Sequence, residues 1–243
     1  MTMESQLTYK EWQVHTLRDT DETMALMEAV LRQDNRHILK DDHNSLVYRI
    51  THAGEEVVVK SPTARNRRTS ERIRTWVRAG KAMRMWRSMQ VLQELGIDVP
   101  EPILTAHRRQ WGMITDSFLV YRYVTGTPIT DEDIPTVDDL LTRLHAAGYL
   151  RHDASPHNYL KSGERIVFVD TTLHRPILFK KSQRLLEHLA FHRQHPERWL
   201  AYHEHTAPNW HLRALLAYRQ TTDTIRTWRR RLKKSHHPTD PNR

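Results

Sequence analysis

One stretch restricts what this chain can fold into more than any other. Asp153-Ala154-Ser155-Pro156-His157-Asn158 is followed, twelve residues after Asn158, by Asp170 at the end of the apolar run Ile166-Val167-Phe168-Val169. Proline and small polar residues make the first segment a loop. The apolar run reads as a short strand, and Tyr159-Leu160 before it supplies a partner. A fold that accommodates this pattern returns Asp170 by a small hairpin to the loop carrying Asp153 and Asn158. Three oxygen-bearing side chains would then share one cleft.

Far upstream, Lys60 ends the run Val57-Val58-Val59, on the second of two β-rich segments, residues 46–50 and 56–60, joined around His52-Ala53-Gly54. The ordered set Lys60, Asp153, Asn158, Asp170 matches what phosphoryl transfer asks of a protein. That reaction needs a cation on the phosphates, a carboxylate to orient and deprotonate the acceptor, and ligands for magnesium. Hard Mg²⁺ takes oxygen donors such as the Asp170 carboxylate and the Asn158 carbonyl. Each residue alone has an ordinary structural reading, since a lysine at a strand end is usually solvated and Asp or Asn beside a turn usually caps it. Their order and spacing carry the chemical reading.

The rest of the chain alternates strands and helices. Residues 11–16 alternate as a strand, 21–33 have helical spacing, and 70–95 read as a helix ending at Gly96. Pro100 and Pro102 force extended chain before strands at 103–107 and 117–124. An acidic turn at 130–133 leads into a helix over 136–147 that stops at Gly148, and residues 182–234 are helical and basic. The order predicts an α+β chain of two lobes: residues 1–124 with nucleotide-binding strands and one long helix, residues 125–234 with the loop, metal ligands and basic helices, and a disordered tail at 235–243. The hinge falls near 122–127.

Composition narrows the setting. Mean hydropathy is −0.74, and no apolar run approaches the roughly 20 residues of a membrane span. The chain has no cysteine, which excludes disulfides and thiolate metal sites. The first ten residues do not read as a secretory signal, so a cytoplasmic protein is expected. A formal net charge of +9 points to polyanionic partners. Among the 17 histidines, His188, His192 and His195 fall at helical spacing, but Leu189 stands where a zinc protease motif needs glutamate, and a solvated basic face is the expected reading.

At this point the sequence resembles the lipopolysaccharide core kinases, the bacterial heptose and Kdo kinases of protein-kinase-like fold. The resemblance spans residues 38–176. It rests on Val57-Val58-Val59-Lys60, on the passage from Ala82-Met83-Arg84-Met85-Trp86 to Leu95-Gly96-Ile97-Asp98-Val99-Pro100, on Asp153 through Asn158, and on Val169-Asp170-Thr171-Thr172-Leu173-His174-Arg175-Pro176. It implies a two-lobed fold with a small β-rich N-lobe and a reduced helical C-lobe, and transfer of the ATP γ-phosphate to a sugar hydroxyl of the inner core, heptose first. By the same resemblance Lys60 would contact the ATP phosphates, Asp153 the acceptor hydroxyl, Asn158 and Asp170 magnesium, and the backbone of Arg122, Tyr123 and Val124 adenine. The setting implied is the cytoplasmic face of the inner membrane. Three departures stand out. The loop expected over the phosphates, residues 40–45, has no glycine. No glutamate stands near Trp86 to pair with Lys60, leaving Glu71 and Glu94 as candidates. Arg151 lies two residues before Asp153, where many such loops place histidine, and His152 is adjacent to it.

Other readings share these residues. Small-molecule kinases of the aminoglycoside or choline type use much the same motif, and a pseudokinase would bind nucleotide without transferring phosphate. A nucleic-acid-binding module is suggested by the arginines between residues 65 and 87 with Trp76 and Trp86. The tryptophans, Val77, Met83 and Met85 are better explained as a packing face, so no nucleic-acid partner is expected. The segment Arg226-Thr227-Trp228-Arg229-Arg230-Arg231-Leu232-Lys233-Lys234 is expected to attach the protein peripherally to anionic membrane.

Overall fold

The computed structural model describes residues 4–33, 35–42, 44–62, 75–76, 79–151 and 153–235. The chain divides into two compact units, one of Met1–His152 with Pro156–His174, the other of Asp153–Ser155 with Arg175–Arg243.

The first unit is organised by a seven-stranded antiparallel sheet. Its strands are β1 (Ser5–Tyr9), β2 (Trp12–Thr16), β3 (His37–Asp41), β4 (Leu46–His52), β5 (Glu55–Ser61), β6 (Pro102–Gln110) and β7 (Met113–Arg122), in the order β1-β2-β6-β7-β5-β4-β3. The β4–β5 hairpin turns on Ala53 and Gly54, both at positive φ (50° and 82°), the turn whose twist matches that of paired strands. Strand β1, which carries only weak alternation, was not among the expected elements. It forms because β2 offers it a full register, from Ser5 opposite Thr16 to Tyr9 opposite Trp12.

Side chains alternate between the sheet's two faces. On one face Val57, Val59, Val120, Ile103 and Phe118 pack with Leu26, Met27 and Val30 of α1 (Thr20–Arg32). Asp19 caps that helix, its carboxylate accepting from the Glu22 amide at 2.9 Å. On the other face Leu119 and Tyr121 meet Ala82, Met83, Met85, Trp86 and Met89 of α2 (Lys81–Glu94). This helix begins later than expected: Thr75 and Trp76 form a turn and Gly80 is the N-cap, while residues 70–74, 77 and 78 lie outside the described residues. Trp76 is therefore no part of the packing face. It is 62% exposed, and its indole N–H donates to the Trp111 carbonyl at 2.9 Å. Val77 and most of the arginine-rich segment also lie outside the described residues.

Three smaller elements follow in the same unit. Helix α3 (Ile134–Ala146) buries Val137, Leu141 and Leu144. A three-stranded sheet pairs β11 (Arg165–Phe168), β10 (Tyr159–Ser162) and β8 (Thr127–Pro128), and β9 (Leu150–Arg151) pairs with β12 (Leu173–His174). Gly126 is needed where β8 meets β10, since a Cβ there would lie 2.8 Å from the Lys161 carbonyl oxygen.

The second unit holds α4 (Lys180–Phe191), α5 (Pro196–His203) and α6 (Asn209–Ser235) around Leu185, Leu189, Trp199, Leu212 and Leu215. Here the expected solvated histidine face is corrected: His188 and His192 are 2% and 4% exposed. His188 Nδ1 lies 2.6 Å from His203 Nε2, and the Phe191, His192, Tyr202 and His203 rings surround it. Aromatic neighbours on α5 make this helix face a core face. His195 instead sits outside the helix, at the start of α5. The expected tail at 235–243 lies outside the described residues but for Ser235, which ends α6.

Candidate active site

Lys60 occupies the β5 position opposite Leu119 of β7, which places it on the α2 face of the sheet. It is 7% exposed. A lysine so enclosed needs a counter-charge, and Asp170 supplies it: the ammonium and carboxylate approach to 2.5 Å. The glutamate sought near Trp86 is replaced by an aspartate far along the chain. Glu94 lies exposed at the end of α2, and Glu71 is outside the described residues. Helix α2 is tied to the Asp170 segment by other means: the Leu173 amide donates to Ser88 Oγ at 2.9 Å, and that hydroxyl donates to the Arg84 carbonyl at 2.7 Å.

Asp170 follows β11 with a left-handed backbone, φ 53°. Burial acts to raise the pKa of its carboxyl, but the Lys60 ammonium, then Lys81 and Lys40, outweigh this and hold it below the usual carboxylate range. The hydroxyl of Tyr121 is pushed up, by burial first and then by Asp170. An ionised carboxylate among three lysines is therefore the centre of the site. Lys40 opens the loop expected over the phosphates and Lys81 lies in the cationic run before Arg87, but neither sits in a motif that would mark it as a site residue. Register explains Lys40: it pairs with Val47, which pairs with Lys60, so both lysines project from the same sheet face two strands apart, roughly 10 Å.

The glycine-free loop finds its turn in a side chain. Asp42 Oδ1 accepts from the Asn44 and Ser45 amides, each at 2.8 Å, and Lys40 pairs with the other oxygen at 3.1 Å. The Asn44 amide first, then Lys40 and the Ser45 amide, lower the Asp42 carboxyl to about 2.

Asn158 is 6% exposed, and its backbone carbonyl accepts from the Val169 amide at 3.0 Å, which fixes it to the chain immediately before Asp170. The hairpin that joins them is anchored outside as well. The Phe168 amide donates to the Asp98 carbonyl at 2.8 Å, and Lys161 pairs with Asp133, a 6% exposed carboxylate, at 2.7 Å. Arg151 completes the brace. Its guanidinium stacks at 4.6 Å over Tyr159 and 4.7 Å over Phe168, and Nη2 donates to the Val169 carbonyl at 3.0 Å. The residue that replaces histidine two positions before Asp153 thus joins the loop strand β9 to the chain preceding Asp170.

Asp153 belongs to the second unit. Its carboxylate accepts from the amide of Ser155 at 3.0 Å and from the Ser155 hydroxyl, a local turn that fixes its rotamer. His157 is exposed, and His152 is outside the described residues. Of the residues expected to face adenine, the Arg122 and Tyr123 amides already donate to the Glu101 and Glu56 carbonyls, both at 2.9 Å.

No protein-family model and no curated protein matches this sequence. Among solved structures, the fold is similar to that of WaaP in complex with acyl carrier protein, with a TM-score of 0.54 and 14% identity over 80% of this chain and 90% of that one. The Mycobacterium tuberculosis PknI kinase domain aligns over 55% of this chain and 56% of its own, at 18% identity and a TM-score of 0.32. The likeness to WaaP is one of fold, and it bears out the α+β, protein-kinase-like class that the sequence implied.

Proposed function

We propose that this protein is an ATP- and magnesium-dependent kinase that phosphorylates a sugar hydroxyl of the lipopolysaccharide inner core, heptose first. The observation that carries the proposal is the Lys60–Asp170 ion pair. Lys60 and Asp170 meet across more than a hundred positions of sequence, and Asn158 is hydrogen-bonded to the residue before Asp170. The donor set fits the metal: an ionised carboxylate and a buried side-chain amide are oxygen ligands of the kind Mg²⁺ prefers. When bound, the ion would neutralise charge on the phosphates. In this reading Asp170 and Asn158 hold it, and Lys60 grips the phosphates with Lys40 and Lys81 nearby. Asp153 receives the proton of the acceptor hydroxyl, and the chain at Arg122-Tyr123-Val124 forms the hinge between a lobe of residues 1–124 and one of 125–234. With two of its amides engaged, the adenine contact falls to the backbone around Val124.

The acceptor class rests on the resemblance to lipopolysaccharide core kinases and on the fold shared with WaaP. A soluble small-molecule acceptor is the rival reading, and a pseudokinase would bind nucleotide only. Mass spectrometry of core oligosaccharide from cells with and without the gene separates them. The proposal expects one phosphate fewer in its absence, whereas an unchanged phosphate count would reject the core acceptor. We place the protein peripherally on the cytoplasmic face of the inner membrane, with residues 226–234 as one contact.

A further inference from the structure

The positive charge is distributed very unevenly. From Arg175 to Arg243 the sequence has 15 lysines and arginines against five aspartates and glutamates, a net charge slightly above the +9 of the whole chain, so the rest of the chain is close to neutral. In the same unit, the connection leading into α4 carries three consecutive large apolar residues at its surface. Ile177, Leu178 and Phe179 are 85%, 67% and 80% exposed, and Lys180 and Lys181 follow, both exposed.

The backbone that carries Leu178 and Phe179 is tied to the start of α4. Pro176, before them, is buried. After them, Gln183 Nε2 donates to the Leu178 carbonyl at 2.7 Å, and the Gln183 amide donates to the Phe179 carbonyl at 2.9 Å, which starts the helix. Phe179 has φ 50°, a left-handed conformation that bulky side chains seldom adopt. Three consecutive large apolar residues so exposed, with two lysines directly after them, suit an interaction surface.

We infer that Ile177, Leu178 and Phe179, with Lys180 and Lys181 beside them, form a wedge that enters the headgroup region of an anionic lipid bilayer. Apolar tips backed by lysines are the arrangement of interfacial anchors, where burial of the tips and attraction to anionic lipid act together. Nucleic acid is a poorer fit, because two of the three tips are aliphatic and cannot stack on bases. The wedge is separate from residues 226–234 and does not depend on phosphotransfer.

The test is co-sedimentation of the full chain with vesicles of phosphatidylcholine alone and of phosphatidylcholine with phosphatidylglycerol, at low and raised salt. The anionic vesicles should bind the protein, and raised salt should weaken the binding. The combined Ile177→Ser, Leu178→Ser, Phe179→Ser variant should lose more than about tenfold in partitioning. The Lys180→Glu, Lys181→Glu pair should lose a similar amount and show a shallower salt dependence. Thermal melts should match wild type, since the replaced side chains are exposed, and a single Leu178→Ser change should show a partial loss. Partitioning of the serine variant equal to wild type would overturn the inference and give the contact to residues 226–234. A wild type that does not bind the anionic vesicles would overturn the inference outright.

Discussion

At Asp153 the carboxylate accepts two bonds from Ser155, which an amide oxygen could accept equally well. Asp153→Asn should therefore leave folding and ATP affinity close to wild type while lowering turnover by orders of magnitude, because the amide cannot take the acceptor proton. Single-turnover kinetics alongside calorimetric ATP titration checks this. If Asp153→Asn kept more than about a tenth of the rate, or under about 1.4 kcal/mol of barrier, while His157→Ala abolished it, the base would be His157. Asp42 gives a second residue-level test. Its carboxyl lies at about 2, below the ordinary 3.8, so the turn it closes is favoured above pH 3.8 and weakens as pH falls toward 2. A carboxyl NMR titration should find that midpoint, and one near 3.8 would remove Asp42 from its role in replacing glycine.

The elements show which parts of the fold could be read in advance. Helix α1, the β4–β5 hairpin and the β10–β11 hairpin were legible because their apolar residues keep a clear period and end on glycine, proline or a capping aspartate. Strand β1 was not, because five residues of mixed polarity acquire strand character only from β2. In the proposed site, motif order singles out Lys60, Asn158 and Asp170, and the structure pairs the first with the last. Lys40 is placed by strand register and Lys81 by the start of α2, and hydrophobic periodicity specifies neither to the residue. Arg151 was noticed only as a departure, and its work depends on two aromatic faces brought beside it by β10 and β11. Arg151→Met should destabilise the first unit by about 2 kcal/mol through loss of the stacking and the Val169 bond, and should depress nucleotide binding further by loosening Asp170. Urea melts and ATP titrations should show both effects, whereas a change confined to stability would limit Arg151 to packing. In α2, Trp86 is fully buried, and Trp86→Ala should cost about 3–5 kcal/mol in the same melts. A cost under about 1 kcal/mol would mean that this helix is not anchored through its apolar face.

On the scale of the whole molecule, chemistry and charge are distributed differently. The first unit holds the Lys60–Asp170 pair, Asn158 and the brace around them, with its acids and bases nearly balanced. The second carries the cationic excess, the apolar wedge and Asp153. Among the described residues, no helix is long and apolar enough to cross a membrane, so the proposed membrane contact is one of surface attachment. The central claim is that an ionised Asp170, countered by Lys60, forms a magnesium–nucleotide site. Isothermal titration of ATP into wild type and Asp170→Ala, each with magnesium and with EDTA, tests it most directly. Wild type should bind ATP with magnesium and lose at least about tenfold in affinity in EDTA, and Asp170→Ala should bind weakly in both conditions. Undiminished ATP affinity in EDTA, or in Asp170→Ala with magnesium present, would contradict the account.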